Sequence, residues 1–160
     1  MSVISVVAFY QEFGLIMTTI PFDDEHDKDF VANLVGTWKS NWQLTKQHID
    51  AECKLTEENI IGLKRLMGKM TIRYNGTSAV FTMPEIRFIK DGRERVLEGW
   101  TFEENINVLG QTNSQIACLS KGFSFDFINI ITFENADTFW LYVGHSPISD
   151  LHVREYFSRI

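Results

Sequence analysis

The triplet Gly36-Thr37-Trp38 opens a strand pattern that few architectures other than a small β-barrel accommodate. From Gly36 to Leu44 the residues alternate, with lysine, asparagine and glutamine on one side. The other side carries Trp38, Ser40, Trp42 and Leu44. A period of two is what a half-buried β-strand requires, so the sequence predicts a strand over these residues.

Two segments with helical spacing follow this strand. They run from Thr45 to Lys54 and from Thr56 to Met67, and the second has Thr56 as a plausible N-cap. Gly68 is placed to end that helix in a left-handed conformation. The pattern predicts a helix-turn-helix between the first and second strands.

From Lys69 onward the pattern predicts short strands separated by residues that are typical of turns. The predicted turns lie at Asn75-Gly76, Asp91-Gly92, residues 110–113, Lys121-Gly122, residues 135–137 and residues 144–150. Successive antiparallel hairpins close most economically into an up-and-down barrel, because closure removes exposed sheet edges. We predict a mainly β fold, an up-and-down antiparallel β-barrel of about eight to ten strands over residues 32–160, a size that can hold one small ligand.

The charge is concentrated before this domain. Of the net charge of −6, six acids and one base lie before Phe30, which leaves 15 acids and 14 bases in the rest of the 160 residues. A nearly neutral domain without a Lys/Arg block offers no field for phosphate backbones, so nucleic acid is excluded as a partner. We interpret residues 1–31 as an N-terminal extension that is first apolar and then acidic.

The apolar part of this extension does not match a targeting segment. Residues 2–20 contain Gln11 and Glu12 and lack both a basic start and a small-residue cleavage pattern. A carboxylate in so short a stretch also argues against a stable membrane span. Two interpretations of the apolar segment stay open: it is an extension that packs on the barrel, or translation begins at Met17.

The chain shows no residue pattern for a metal or another cofactor. Cys53 and Cys118 fall in different predicted elements without zinc-ligand spacing, which favours two free thiols in a reducing, cytoplasmic location. His145 and His152 have no carboxylate or cysteine partner at ligand spacing, so we predict neither haem nor metal there.

Both ends of the predicted barrel resemble members of the calycin superfamily. The run Leu34-Val35-Gly36-Thr37-Trp38-Lys39 is similar to the opening strand of intracellular fatty-acid-binding proteins, whose helix-turn-helix also follows that strand. The ending from Arg154 to Ile160 and the opening G-T-W-K-S also resemble uncharacterised bacterial lipocalin-like proteins. The resemblance implies a barrel that binds a small hydrophobic or amphipathic molecule.

In the fatty-acid-binding family, an R-x-Y pair in the last strand reaches the ligand carboxylate, and Arg154 and Tyr156 match that pair. The family's second internal arginine has no counterpart, because Arg87, Arg93 and Arg95 cluster around a turn.

Three arrangements of the last strand stay open. Arg154 and Tyr156 share one face and could clamp a carboxylate by charge-assisted hydrogen bonds. The opposite face, with Leu151, Val153 and Phe157 around Glu155, has the better claim to the interior by hydrophobicity. Alternatively, Arg154 or Arg159 covers the Trp38 indole at the closed end, as lipocalin-like endings do.

The remaining candidates are aromatic. We expect Gly36, Trp38 and Arg159 to form the structural base of the barrel, and any ligand to bind at the other end, under the helices. Candidate ligand-binding residues besides Arg154 and Tyr156 are Trp42, Tyr74, Phe81, Phe88, Trp100, Phe125 and Phe139. Filling the barrel core is their alternative role.

These patterns favour non-enzymatic binding of a small hydrophobic or amphipathic ligand, as a carrier or sensor. The alternative is a protein-interaction or inhibitor barrel with a packed interior, whose acidic tail meets a basic partner. An enzyme that uses a cavity carboxylate is a third hypothesis, with Glu98, Glu155, Asp126 or Tyr156 as acid or base. We predict no catalytic residue from a recognised motif.

Overall fold

The computed structural model describes residues 32–121, 126–143 and 153–160, and its described part includes eleven strands, two helices and a helical turn at residues 32–34. The extension 1–31 lies outside the described residues, as do Phe125, His145, Leu151 and His152. The elements are β1 (Gly36–Ser40), α1 (Trp42–Glu52), α2 (Glu57–Leu66), β2 (Thr71–Tyr74), β3 (Ser78–Met83), β4 (Ile86–Lys90), β5 (Arg93–Leu97), β6 (Trp100–Asn105), β7 (Asn107–Gln111), β8 (Gln115–Lys121), β9 (Asp126–Asn135), β10 (Thr138–Tyr142) and β11 (Arg154–Arg159). The predicted mainly β fold, with a helix-turn-helix between the first and second strands, is confirmed.

Nine of these strands form one antiparallel sheet that curls into a nearly closed barrel. Its order is β6-β3-β2-β1-β11-β10-β9-β8-β7, so the last strand lies between the first strand and β10. The hairpin β4-β5 forms a separate two-stranded sheet. Its turn at Asp91 and Gly92 has positive φ angles of 54° and 69°, the conformation that a tight two-residue hairpin needs.

The two strands at the ends of the sheet order are halves of one extended stretch. Only Ile106 separates β6 from β7, too short a connection for the chain to reverse. The first half pairs with β3 and the second half pairs with β8. The Ile106 N–H donates to the Thr77 carbonyl (2.9 Å) at the point where the partner changes. The barrel is therefore closed by a strand that changes neighbours midway.

The first strand is shorter than the alternating pattern predicts. The strand predicted from Gly36 to Leu44 is wrong beyond Ser40, because the Asn41 side chain accepts hydrogen bonds from the N–H groups of Gln43 and Leu44. That N-cap starts α1 at Trp42. Trp42 and Leu44 continue the alternating strand pattern only by coincidence, because the same two residues can equally well lie in the first turn of a helix.

The second helix follows the predicted caps closely. Thr56 is its N-cap and accepts from the Asn59 N–H (3.3 Å). Gly68 has a φ of 81°, and a Cβ there would lie 2.8 Å from the Cβ of Trp42. Glycine is thus required both by conformation and by the close approach of α1.

Aromatic side chains pack together in the barrel core around Trp38 of β1. Trp38 packs edge-on against Phe139 (centroids 4.7 Å apart), and Phe139 stacks on Phe157 (5.1 Å). All three side chains are buried, together with Leu34 and Ile72. Closely packed aromatic rings of this kind contribute strongly to a core.

The helices cover the opposite end, and apolar side chains pack beneath them. Ile49 of α1, Leu63 of α2 and Met67 form a second buried cluster with Val153, with Trp42 and Val143 packed against it. These contacts occupy part of the space beneath the helices. The expectation of a binding site there stays a prediction.

Candidate functional site

A small cavity opens in the barrel wall where β6 and β8 face each other. We call this gap the seam: residues 100–106 on one side and residues 119–121 on the other. β7 pairs with β8 only up to Asn107 and Leu119, so no ladder hydrogen bonds join the described seam residues across the gap. The cavity has a volume of about 30 Å³, which is room for roughly two water-sized groups.

A polar contact between side chains joins β8 to β6 across the seam, and a residue of β9 extends it. The Asn129 Nδ2 amide donates to Ser120 Oγ (3.0 Å), and the Ser120 hydroxyl donates to Glu104 Oε1 (3.2 Å). All three residues line the cavity. A hydrogen-bonded chain of this kind orients its members and holds the carboxylate at a defined position.

A phenol and a thiol complete the polar part of the lining. Tyr74 and Cys118 are both buried and both line the cavity. Burial raises the pKa of Tyr74 above its ordinary value, and burial, with the Glu104 charge, raises the pKa of Cys118 to about 11. Both groups are therefore neutral at neutral pH, and the thiol is a poor nucleophile because the thiolate is scarce.

An apolar path leads from the cavity to solvent. Phe81 lines the cavity and is paired with Phe102 of β6, with ring centroids 6.3 Å apart. Trp100 lies two residues before Phe102 and shares its face of the strand. Phe102 is 39% exposed and Trp100 is 47% exposed. Two large inward-facing aromatic side chains are thus left uncovered beside a polar cavity.

The opposite end of the barrel is closed by an arginine. The Arg159 guanidinium carbon lies 4.2 Å from the Trp38 ring centroid, and its nitrogens donate to the carbonyls of Asn33, Val35 and Ala136. Gly36 has a φ of 140°, and a Cβ there would lie 2.6 Å from Arg159 Nη1. Gly36, Trp38 and Arg159 therefore form one contact group at the base.

The Arg154 and Tyr156 pair does not reach the cavity. In the β10–β11 ladder these residues pair with Tyr142 and Trp140, on the face opposite Phe139. The Arg154 guanidinium carbon lies 4.2 Å from the Trp140 ring centroid, a cation–π contact on the outer side. An interior carboxylate clamp made by this pair is not compatible with that register.

The interior face of β11 carries Glu155 instead. Its Oε1 accepts from the Ser40 hydroxyl (2.5 Å), and Ser40 Oγ accepts from the Gly68 N–H (2.6 Å), which connects the end of β1 to the residue that follows α2. Burial raises the pKa of Glu155 to about 7, and the Ser40 hydrogen bond only partly opposes this rise. Tyr156 N–H donates to Thr45 Oγ1 (3.0 Å) and attaches α1 to the same strand.

Other candidate residues are dispersed. Trp42 belongs to α1 and packs in the cluster under the helices, and Phe139 is fully buried in the base core. Phe88 lies in β4 with the Arg65 guanidinium carbon 4.8 Å from its ring centroid. Of the aromatic candidates that the structure describes, Tyr74 and Phe81 line the cavity, and Trp100 lies on the path from it.

Sequence reasoning missed Glu104, Ser120 and Asn129, the three hydrogen-bonded polar residues that line the cavity. Glu104 is in phase with Trp100 and Phe102 along β6, so its place on an apolar face was visible in the alternation. Ser120 and Asn129 are likewise in phase with interior residues of β8 and β9. No sequence signal shows that these strands meet, because the partner change at Ile106 is a tertiary feature.

The structure and the comparisons add three observations. No helix within residues 32–121, 126–143 and 153–160 combines the length and apolar composition needed to cross a membrane. Those same ranges contain no group of three or more histidine, cysteine or acidic side chains placed to hold a metal ion. Comparison with family models, curated proteins and solved structures found no match.

Proposed function

We propose that this protein binds a small amphipathic molecule at the seam, without chemical conversion, as a carrier or sensor. The observation that carries the proposal is the combination of a polar cavity, lined by Glu104 and Ser120, with the uncovered aromatic path over Phe102 and Trp100. Ligand sites commonly join an apolar surface to a few convergent polar groups. The calycin-like opening and ending of the sequence favour the same function.

The size of the cavity determines how such a ligand lies. A volume of about 30 Å³ admits a head group and no more, whereas drug-sized ligands occupy roughly 300–1,000 Å³. The polar head therefore enters the cavity, and the apolar remainder lies across Phe81, Phe102 and Trp100. A ligand held this way is only partly enclosed.

Binding of the neutral fluorescent dye N-phenyl-1-naphthylamine tests this function. The dye should gain emission with the wild-type protein, and Phe102→Ser should weaken dye binding several-fold because it removes the apolar path. Ile130→Ser is the matched control, since Ile130 is 46% exposed and lies on the outer side of β9. Absence of dye binding, or equal losses in the two variants, would contradict the proposal.

Protein interaction is the second candidate, and the β4-β5 hairpin is the observation that favours it. Ile89 and Val96 share one face of this hairpin and are 63% and 44% exposed. Exposed apolar patches on otherwise polar surfaces mark many protein interfaces. A pull-down that loses one defined partner with Ile89→Ser, while dye binding stays unchanged, would favour this function over the first.

A further inference from the structure

We infer that the apolar part of the N-terminal extension, residues 2–20, packs on the outer face of the barrel wall formed by β8, β9 and β10. This face is turned away from the barrel interior and from the seam cavity, so the inference is independent of the proposed function. It gives a docking surface to the extension, whose place on the barrel the sequence leaves open.

The outer side of this wall is apolar. Along β9, Ile128 and Ile130 alternate with interior residues and are 60% and 46% exposed. Ala117 of β8 pairs with Ile130 in the ladder and shares its side of the sheet. Tyr142 of β10 is also exposed and lies on the side opposite Phe139. We call these residues the outer apolar face: Ala117, Ile128, Ile130 and Tyr142.

The strands β2, β3 and β6 show what an uncovered wall of the same barrel carries. Their outward positions, which pair in register across the three strands, hold Thr71, Arg73, Ser78, Thr82, Thr101, Glu103 and Asn105. Val80 is the one apolar side chain at the outward positions of these three fully described strands. Sheet faces in contact with water are normally polar, whereas contiguous exposed apolar patches mark surfaces that a partner covers.

The shape and size of the outer apolar face favour a chain segment over a second copy of the protein. The face is convex, because the sheet curls around its core, and two convex walls touch over a small area. Three strands about 4.8 Å apart give a face of roughly 200–300 Å², whereas a stable dimer buries about 800 Å² on each partner. A segment of the same chain needs less area, because its tether gives an effective concentration on the order of 1 mM.

The extension joins the barrel close to this face. Arg159 Nη2 donates to the Asn33 carbonyl (2.6 Å) and to the Ala136 carbonyl (3.1 Å), which brings the start of the described chain beside the turn between β9 and β10. From Ala136 to Ile130 the distance along β9 is about 20 Å. Residues 21–31 can span up to about 36 Å. Residues 2–20 can therefore reach the whole outer apolar face, with the acidic run Asp23 to Asp29 left in water.

The composition of the extension matches that of the face. Residues 3–9 read Val-Ile-Ser-Val-Val-Ala-Phe, and Glu12 is the single charged residue between positions 2 and 20. Contact between such a segment and the face removes apolar surface from water on both sides, which is favourable and requires no specific polar partner.

The experiment measures how well the face is protected in the full-length protein. Ile130→Cys and Thr82→Cys each place a thiol at an outward position of a strand that has a neighbour on both sides. Thr82 is exposed on the polar half of the wall and is the matched control. Alkylation by iodoacetamide, followed by peptide mass spectrometry, should be about tenfold or more slower at Ile130→Cys than at Thr82→Cys. Equal rates at the two positions would overturn the inference.

Variants of the extension then identify what covers the face. Val7→Asp combined with Leu15→Asp should raise the alkylation rate of Ile130→Cys to that of Thr82→Cys, because a charged segment no longer gains from the contact. Thr18→Asp combined with Thr19→Asp adds the same two charges without removing an apolar side chain, and should keep most of the protection. Protection that survives Val7→Asp with Leu15→Asp, in a protein with native circular dichroism, would overturn the inference.

Dilution separates the extension from a second copy. A contact within one chain does not depend on protein concentration, so the protection should stay constant over an about hundredfold dilution. Protection that falls with dilution would assign the outer apolar face to an interface between copies and would also overturn the inference.

Discussion

The base and the seam of this barrel use similar residues with opposite results. Trp38 and Trp100 are both tryptophans that project toward the interior from a strand, yet Trp38 has no exposed surface and Trp100 is 47% exposed. β1, which carries Trp38, has a hydrogen-bonded strand on each side, whereas β6 has only β3. The difference in exposure between these two tryptophans accompanies the difference in the number of neighbouring strands.

The largest expected effect tests this contrast directly. Trp38→Ala should lower the free energy of unfolding by about 3–5 kcal/mol, because it leaves a cavity among Phe139, Phe133 and the Arg159 guanidinium. Trp100→Ala should lower it by less than about 1 kcal/mol. Urea unfolding followed by circular dichroism measures both. Equal losses would mean that the seam is closed in solution.

The buried carboxylate of Glu155 in the barrel interior extends the comparison to charge. Glu155 has a pKa raised from 4.5 to about 7 by burial, so its protonated form is favoured by folding. The stabilising effect of this proton is complete below pH 4.5, declines as pH rises, and is lost above about pH 7. Glu155→Gln should therefore gain stability relative to wild type across this window, by about 3 kcal/mol at pH 8.

The measurement is the free energy of unfolding of both proteins from pH 4 to pH 8, reported as their difference. That difference cancels the titration of the other carboxylates, which the two proteins share. A difference that is constant over this range would show that Glu155 is solvated in the folded state.

A smaller effect is expected from the arginine at the base. Arg159→Ala removes the cation–π contact with Trp38 and the donors to three backbone carbonyls, and should cost about 1–2 kcal/mol. Arg93→Ala is the control, because Arg93 is exposed on the β4-β5 hairpin and should change stability by less than about 0.5 kcal/mol. If both variants unfold at the same urea concentration as wild type, the Arg159 side chain does not stabilise the base of the barrel.

The smallest effect concerns thiol accessibility. Alkylation by iodoacetamide should be about tenfold or more slower at Cys118 than at Cys53, because Cys118 is buried at the seam and its pKa is about 11. Single-thiol variants, Cys53→Ala and Cys118→Ala, separate the two rates. N-phenyl-1-naphthylamine should slow alkylation of Cys118 and leave Cys53 unchanged, and equal protection of both thiols would argue against binding at the seam.

Features set by local chemistry were predictable from the sequence. Thr56 and Gly68 mark the ends of α2 because capping depends on neighbouring backbone groups, and Asp91-Gly92 marks a hairpin because its dihedral angles are local. The strand pattern of Ile72 and Tyr74 was visible for the same reason. Periodicity and turn chemistry together are enough to predict a barrel with a helical insertion.

Features that depend on distant partners were not predictable. Trp42 fits a strand and a helix equally well until Asn41 caps the helix that packs near Gly68. Glu104 was visible on an inward face, but only the partner change at Ile106 brings it to Ser120. Only part of the candidate site could therefore be predicted from the sequence. Its aromatic residues could be named, and its polar residues could not.

The position of β11 between β1 and β10 has a consequence for how the chain reaches this structure. The Arg159 side chain donates to the Val35 carbonyl across 124 positions of the sequence. Contacts between such distant segments form late, because the intervening chain must first lose the entropy of closing a long loop. During synthesis, the barrel cannot close until the strand that ends at Arg159 has left the ribosome, and until then β1 and β10 expose unpaired edges that favour association with other chains.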